Sequence, residues 1–192
     1  MPKAIAIAGP NGAGKTTAGP ALLRGPLQVD EFVNADGIAS GLSALAPERV
    51  AFAAGRLLLR RLRDLASKGA EFAFESTLAG RSFAPWIGSL QRTGYEFHLI
   101  YLYLSSADLA VARVKERVRA GGHDVAERDV RRRYKRSLQN FFTLYRPLAD
   151  SWLLLDNSAH PTPVPVAWRN IGGPIHIVRD GLWKRLREAY EK

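Results

Sequence analysis

The chain has 192 residues, 46% hydrophobic and 24% charged, which is enough to bury the core of one globular domain. It contains no cysteine, which excludes a disulfide framework, a thiol nucleophile and a zinc-thiolate site. Lys and Arg number 28 against 18 Asp and Glu, and the net charge of +10 attracts polyanions: nucleotides, nucleic acid or an acidic membrane surface.

Lys3-Ala4-Ile5-Ala6-Ile7-Ala8 is a short apolar run of the kind a buried parallel strand needs. The N-terminus enters this strand without a signal-peptide pattern, and no apolar stretch approaches membrane-spanning length. The expected compartment is the cytoplasm, with no membrane partner. Gly9-Pro10-Asn11-Gly12-Ala13-Gly14-Lys15-Thr16 follows, with Thr17 after it. It fits G-x-x-x-x-G-K-[ST], the P-loop pattern, in which backbone N–H groups wrap a nucleotide phosphate. These nine residues are the candidate ATP site. Lys15 would place its ammonium on the β- and γ-phosphates, and the Thr16 hydroxyl would hold Mg²⁺. A helix from Lys15 to Leu23 adds its positive N-terminal dipole and ends at Arg24-Gly25-Pro26, although Gly19-Pro20 works against it.

Glu31 to Asp36 reads as a second strand ending on an acid, and Gly37 to Ala46 as a flexible loop. Pro47 starts a helix with apolar positions at Val50, Ala54, Leu58, Leu62 and Leu65, stopped by Gly69. Arg56, Arg60, Arg61 and Arg63 fall off that stripe and read as a solvated face. Glu71 to Glu75 is the third strand, and Ser82 to Arg92 a helix. Phe97 to Leu104 is the longest apolar strand and belongs in the centre; its His98 reads as structural, with no second histidine at metal-ligand spacing. Ser105-Ser106 caps a helix from Ala107 to Arg119, and Gly121-Gly122-His123-Asp124 breaks it. A very basic helix runs from Ala126 to Tyr145, and Trp152 to Asp156 is a fifth strand. Pro161, Pro163 and Pro165 form an extended linker. Val166 to Trp168 and Ile175 to Val178 read as a hairpin, and Gly181 to Glu191 as a closing helix.

Five strands alternating with helices predict an α/β three-layer sandwich on a mostly parallel five-stranded sheet. Right-handed crossovers bring the carboxyl ends of its strands to one edge, where ligands bind. The P-loop, Asp36, Glu75-Ser76-Thr77 and Asp156-Asn157-Ser158 should therefore meet in one cleft. Phosphoryl transfer needs a held γ-phosphate, a metal, a group to orient the attacking oxygen and positive charge on the transferring group. Lys15 and Thr16 supply the first two. Asp36 can accept the proton of an acceptor hydroxyl, or cap the following segment. Glu75 can hold a Mg²⁺-bound water or bind the acceptor, or pair with an arginine; Thr77 is a further acceptor-binding group. Asn157 lies where the chain can pass the purine base, or sits in a plain turn. From Arg113 to Arg136 the arginines form two basic helices around a diglycine corner, the pattern of a lid; Arg119 and Arg132 are its candidate catalytic members.

The P-loop, Asn34-Ala35-Asp36, Glu75-Ser76-Thr77, and Arg119-Ala120-Gly121-Gly122-His123-Asp124 leading to Arg131-Arg132-Arg133-Tyr134 together resemble the zeta-toxin-like P-loop kinases, over residues 3 to 158. The resemblance implies an adenylate-kinase-like core and an ATP-dependent kinase acting on a small metabolite. In zeta toxins the acceptor is the 3′-hydroxyl of a UDP-linked N-acetyl amino sugar and the base is an aspartate after strand two, here Asp36. An antitoxin protein is the implied partner. The expected organisation is a single kinase domain over 1–192, with a basic lid at 119–136 and an extension at 159–192. Two rival readings stand beside it: a polynucleotide 5′-hydroxyl kinase, which the charge allows, and a non-catalytic ATP-binding switch.

Overall fold

The computed structural model describes residues 1–122, 124–159 and 162–191; His123 of the basic motif and Pro161 of the proline-rich linker lie outside the described residues. Strand β1 (Lys3–Ala8) leads through the P-loop into helix α1 (Lys15–Leu22), which tolerates Pro20 in its interior. The chain does not stop at Arg24-Gly25-Pro26 but continues through a wide turn, Leu23–Leu27, kinked at Gly25. Strand β2 is two residues long (Phe32–Val33), and the stretch expected to be a loop is helix α2 (Ala35–Leu42). Asn34 nucleates α2, because its side-chain oxygen accepts the Asp36 N–H at 2.7 Å.

A 3₁₀ turn (Pro47–Val50) precedes α3 (Ala51–Ser67), which buries Ala54, Leu58, Leu62 and Leu65 as its apolar period requires. Next come β3 (Phe72–Ser76), α4 (Phe83–Arg92), β4 (Glu96–Tyr103) and α5 (Ala107–Arg119). The basic helix is α6 (Glu127–Asn140), followed by a wide turn at Phe141–Tyr145 and the short α7 (Arg146–Leu148). The chain ends with β5 (Ser151–Asp156), β6 (Val164–Arg169), β7 (Ile175–Ile177) and α8 (Asp180–Tyr190).

The sheet has seven strands, not five, in the order β2-β3-β1-β4-β5-β6-β7. The first five are parallel. The C-terminal hairpin joins the same sheet antiparallel to β5, with a register shift between Leu154 and Leu155. Its β5-facing strand, β6, buries Val166 and Ala167, so the hairpin extends the core rather than standing apart.

Helices cover both faces. On one, Phe72 and Phe74 stack against Trp86 and Phe83 of α4, and Tyr101 packs on Phe141. On the other, α1 approaches so closely that a Cβ on Gly19 would stand 3.3 Å from Ile7 Cδ1. His98 of β4 has its Nδ1 2.6 Å from Ser151 Oγ of β5. Helix α6 is anchored to the core along one face. Val130, Tyr134, Ser137 and Leu138 of α6 are buried, and Tyr134 donates its hydroxyl to the Leu104 carbonyl at 2.8 Å.

Candidate active site

The carboxyl ends of β1 and β3 and the start of α2 meet around the P-loop. Gly9 has φ 143° and lies against β4, where a Cβ would be 2.3 Å from the Leu102 carbonyl oxygen; no other residue fits there. Gly14, at φ 79°, turns the loop into α1. Lys15 is 7% exposed and donates to the Pro10 carbonyl at 3.0 Å, curling back over its own loop. Burial lowers its pKa, against the opposing pull of the Glu75 and Asp36 charges. Asn11 lines the cleft beside it, its buried Oδ1 without a hydrogen-bond partner among the described atoms.

Glu75, at the end of β3, is the hub. It accepts from Thr16 Oγ1 at 3.0 Å and from Asn34 Nδ2 at 2.8 Å, and lies 3.7 Å from Lys15 Nζ. Burial raises its carboxyl pKa, with the Lys15 charge and the Thr16 bond acting against that rise. Asn34 thus ties two things together: its amide nitrogen is anchored on Glu75 while its oxygen caps the helix carrying Asp36. Asp36 is 55% exposed at its side chain, and Arg117 Nη1 lies 3.9 Å from its Oδ2. A hydroxyl and a carboxylate side by side suit a hard cation that retains part of its water shell, so Thr16 and Glu75 fit Mg²⁺.

These groups face one cavity of about 530 Å³, lined by Lys15, Asp36, Glu75, Thr77, Arg117 and Arg133, with Phe52, Arg56 and Leu59 of α3 as an outer wall. Phe52 is 79% exposed, and the Arg56 guanidinium lies 5.1 Å from its ring centroid. Arg56 is solvent-exposed at the rim of this cavity, and Arg61 is held by Glu31 and Asp64 on the surface.

The two candidate lid arginines, Arg119 and Arg132, do not line this cavity. Arg119 lines a different cavity, between α5 and α6, because it stands roughly 200° around α5 from Arg117. Arg132 is exposed and paired with Asp129 at 2.7 Å. Its neighbour Arg133, beside the buried stripe Val130, Tyr134 and Ser137, is the one that reaches the cleft. Asn157 is also redirected: its amide donates to the Ala13 carbonyl at 2.9 Å and it is 6% exposed, which makes it a brace under the P-loop. Arg113, missed as a site-builder, donates to the Asn157 and Ser158 carbonyls at 2.7 and 3.1 Å and fixes that brace. Its signal was its place one helical turn before Arg117.

The profile of the AAA domain family matches residues 5–141, more than two thirds of the chain. The chain belongs to the AAA domain family. A protein of Haemophilus influenzae described as uncharacterized is 33% identical to this AAA domain protein over 134 residues, 69% of this chain and 92% of the relative. Among solved structures, the AvrRxo1-ORF1:-ORF2 complex with ATP superposes with a TM-score of 0.75 at 18% identity, covering 97% of this chain. This chain spans only 63% of that one. The PezAT chromosomal toxin–antitoxin system of Streptococcus pneumoniae gives 0.63 at 16% identity, covering 100% and 88%. At these identities the likeness is one of fold. The AAA domain here has a P-loop kinase-like fold, and its sheet carries an antiparallel pair of strands at one edge. Among the described residues no helix is long and apolar enough to cross a membrane.

Proposed function

We propose that this chain is an ATP- and Mg²⁺-dependent kinase that transfers a γ-phosphate to a hydroxyl of a small metabolite, a UDP-N-acetyl amino sugar being the first candidate. The observation that carries the reading is the half-exposed Asp36 carboxylate in the cavity that Lys15 lines, with Arg117 beside it. Asp36 takes the proton of the acceptor hydroxyl. The acceptor oxygen attacks the γ-phosphorus, the bond to the β-bridging oxygen breaks, and ADP leaves with that electron pair. Lys15 exchanges the Pro10 carbonyl for the β- and γ-phosphates, while Arg117 and Arg133 neutralise charge on the transferring group. Thr16, and Glu75 through water, would hold Mg²⁺, which supplies further charge neutralisation on the phosphates. Glu75 and Thr77 bind the acceptor, whose apolar part rests on the α3 wall. A protein antitoxin belongs to the same reading, supported by the two-component make-up of both structural relatives.

Incubation with labelled ATP and a panel of sugar nucleotides, nucleosides and 5′-hydroxyl oligonucleotides tests this. Label on a sugar nucleotide, lost in Asp36→Ala, is the expected result. The net charge of +10 favours one second reading, the polynucleotide kinase. Label on oligonucleotides, with a KM that climbs steeply with salt, would establish that one instead. ATP binding with no transfer, indifferent to Asp36→Ala, would leave a nucleotide-dependent switch.

A further inference from the structure

The segment between β3 and α4 is held in an unusual way. Three of its carbonyls are gripped from α6 and the turn after it. Thr77 O accepts from Ser137 Oγ at 2.5 Å, Leu78 O from Asn140 Nδ2 at 2.8 Å and Gly80 O from the Tyr145 hydroxyl at 2.7 Å. Leu78 is buried at φ 52°, a left-handed conformation that a leucine holds only when its surroundings impose it.

This clamp sets Arg81 opposite Arg136. The two residues line a second cavity of about 420 Å³, with Gln139, Asn140 and Thr143 as its polar lining. It continues the wall of the first. Thr77 and Arg133 line the acceptor cavity; Ala79 and Arg136, two and three residues further along the same two segments, line the second. Neighbouring arginines on α6 are neutralised, Arg131 by Asp108 and Glu127, Arg132 by Asp129. Arg81 and Arg136 have no carboxylate in ion-pair range among the described residues. Both arginines are solvent-exposed along this one cavity, so both can reach an anion held there, and paired guanidinium forks match phosphate oxygens.

We propose that Arg81 and Arg136 form a distal anion subsite that holds a phosphate group of the acceptor, so that the acceptor is a phosphorylated alcohol. This rests on the reading of the adjoining cavity as the acceptor site. A small molecule is the occupant proposed, because Arg131 and Arg132 on the same helix already have acid partners and do not extend the charge along α6.

The test is titration of the full chain with inorganic phosphate by calorimetry, in wild type and four variants. Arg81→Gln and Arg136→Gln should each weaken one phosphate site by about tenfold. Lys15→Ala should leave that site intact while removing any phosphate bound in the P-loop. Arg128→Gln, the same charge change on α6, should have no effect. Unchanged binding in both arginine variants overturns the proposal, as does loss of all phosphate binding in Lys15→Ala. An equal loss in Arg128→Gln would reduce the effect to overall charge, also overturning it. So would 5′-hydroxyl oligonucleotides that bind here with length- and salt-dependent affinity, which would make the pocket part of a polymer track. The readout is binding rather than turnover, so it separates failure of this subsite from failure of the kinase reading.

Discussion

Lys15 is buried and Arg146 nearly so, and the surroundings of the two cations differ. Arg146 lies under three rings, 5.3 Å from the Phe142 centroid, 5.8 Å from Trp152 and 5.4 Å from Trp183, and is paired with Glu191. Trp152 and Trp183 stack 14° from parallel, joining the C-terminal helix α8 to β5. Lys15 has one carbonyl, a carboxylate at 3.7 Å and an open cavity. Burial lowers the pKa of both. Arg146 is covered by three rings and a carboxylate of its own chain and serves stability; Lys15 is left with room for another molecule's negative charge. A buried cation marks a binding site only when a cavity adjoins it.

The sharpest way to break this contrast is to remove each cation. Lys15→Ala should lower phosphotransfer by about 10³-fold or more with a small change in melting temperature. Retention of more than a few per cent of turnover, measured with labelled ATP, would detach Lys15 from the γ-phosphate. Arg146→Ala should do the reverse, lowering unfolding free energy by about 2–3 kcal/mol in urea titrations while kcat per folded molecule stays the same.

Next in size is the choice between neighbouring arginines. Arg117→Ala should reduce kcat by about tenfold with little change in ATP affinity, because its charge acts on the transferring group. Arg119→Ala should leave kcat within about twofold of wild type; equal losses in the two would mean that α5 rotates or shifts on binding.

The smallest effect concerns pH. An acid whose folded-state pKa is raised holds its proton more tightly folded than unfolded. Glu75 therefore favours the folded state most below its ordinary 4.5, and this contribution is lost as pH rises through the raised value. Relative to Glu75→Gln, wild type should gain stability on acidification, as read by urea unfolding at two pH values. A wild type that loses relative stability instead would contradict the raised value.

Much of the catalytic edge was legible from residue types alone. The P-loop needs its glycines where strand, loop and helix meet, and parallel strands carry Asp36 and Glu75 to the same place. Helix α2 was not legible: Ala-Asp-Gly-Ile-Ala-Ser-Gly-Leu has two glycines, and its stability comes from the Asn34 cap and the anchoring of that cap on Glu75, a contact 41 residues away. Which arginines face the cavity was not legible for a different reason. Density of charge says nothing about direction, whereas the buried stripe Val130, Tyr134, Ser137 and Leu138 puts Arg133 beside the core and Arg132 opposite it. Asn157 lay beyond sequence reasoning, since its partner, Ala13, is 144 residues earlier.

The brevity of β2 has its own consequence. Its ladder to β3 comprises two residue pairs, Phe32 with Ala73 and Val33 with Phe74, whereas β1 and β4 share six. The half of the cleft that would grip nucleotide is welded into the middle of the sheet, and the half that would meet the acceptor hangs from a narrow seam at its margin. Such an asymmetry lets one wall give way to guests of different girth while the other keeps its shape, so relatives could exchange acceptors by remodelling a border and leave the engine alone.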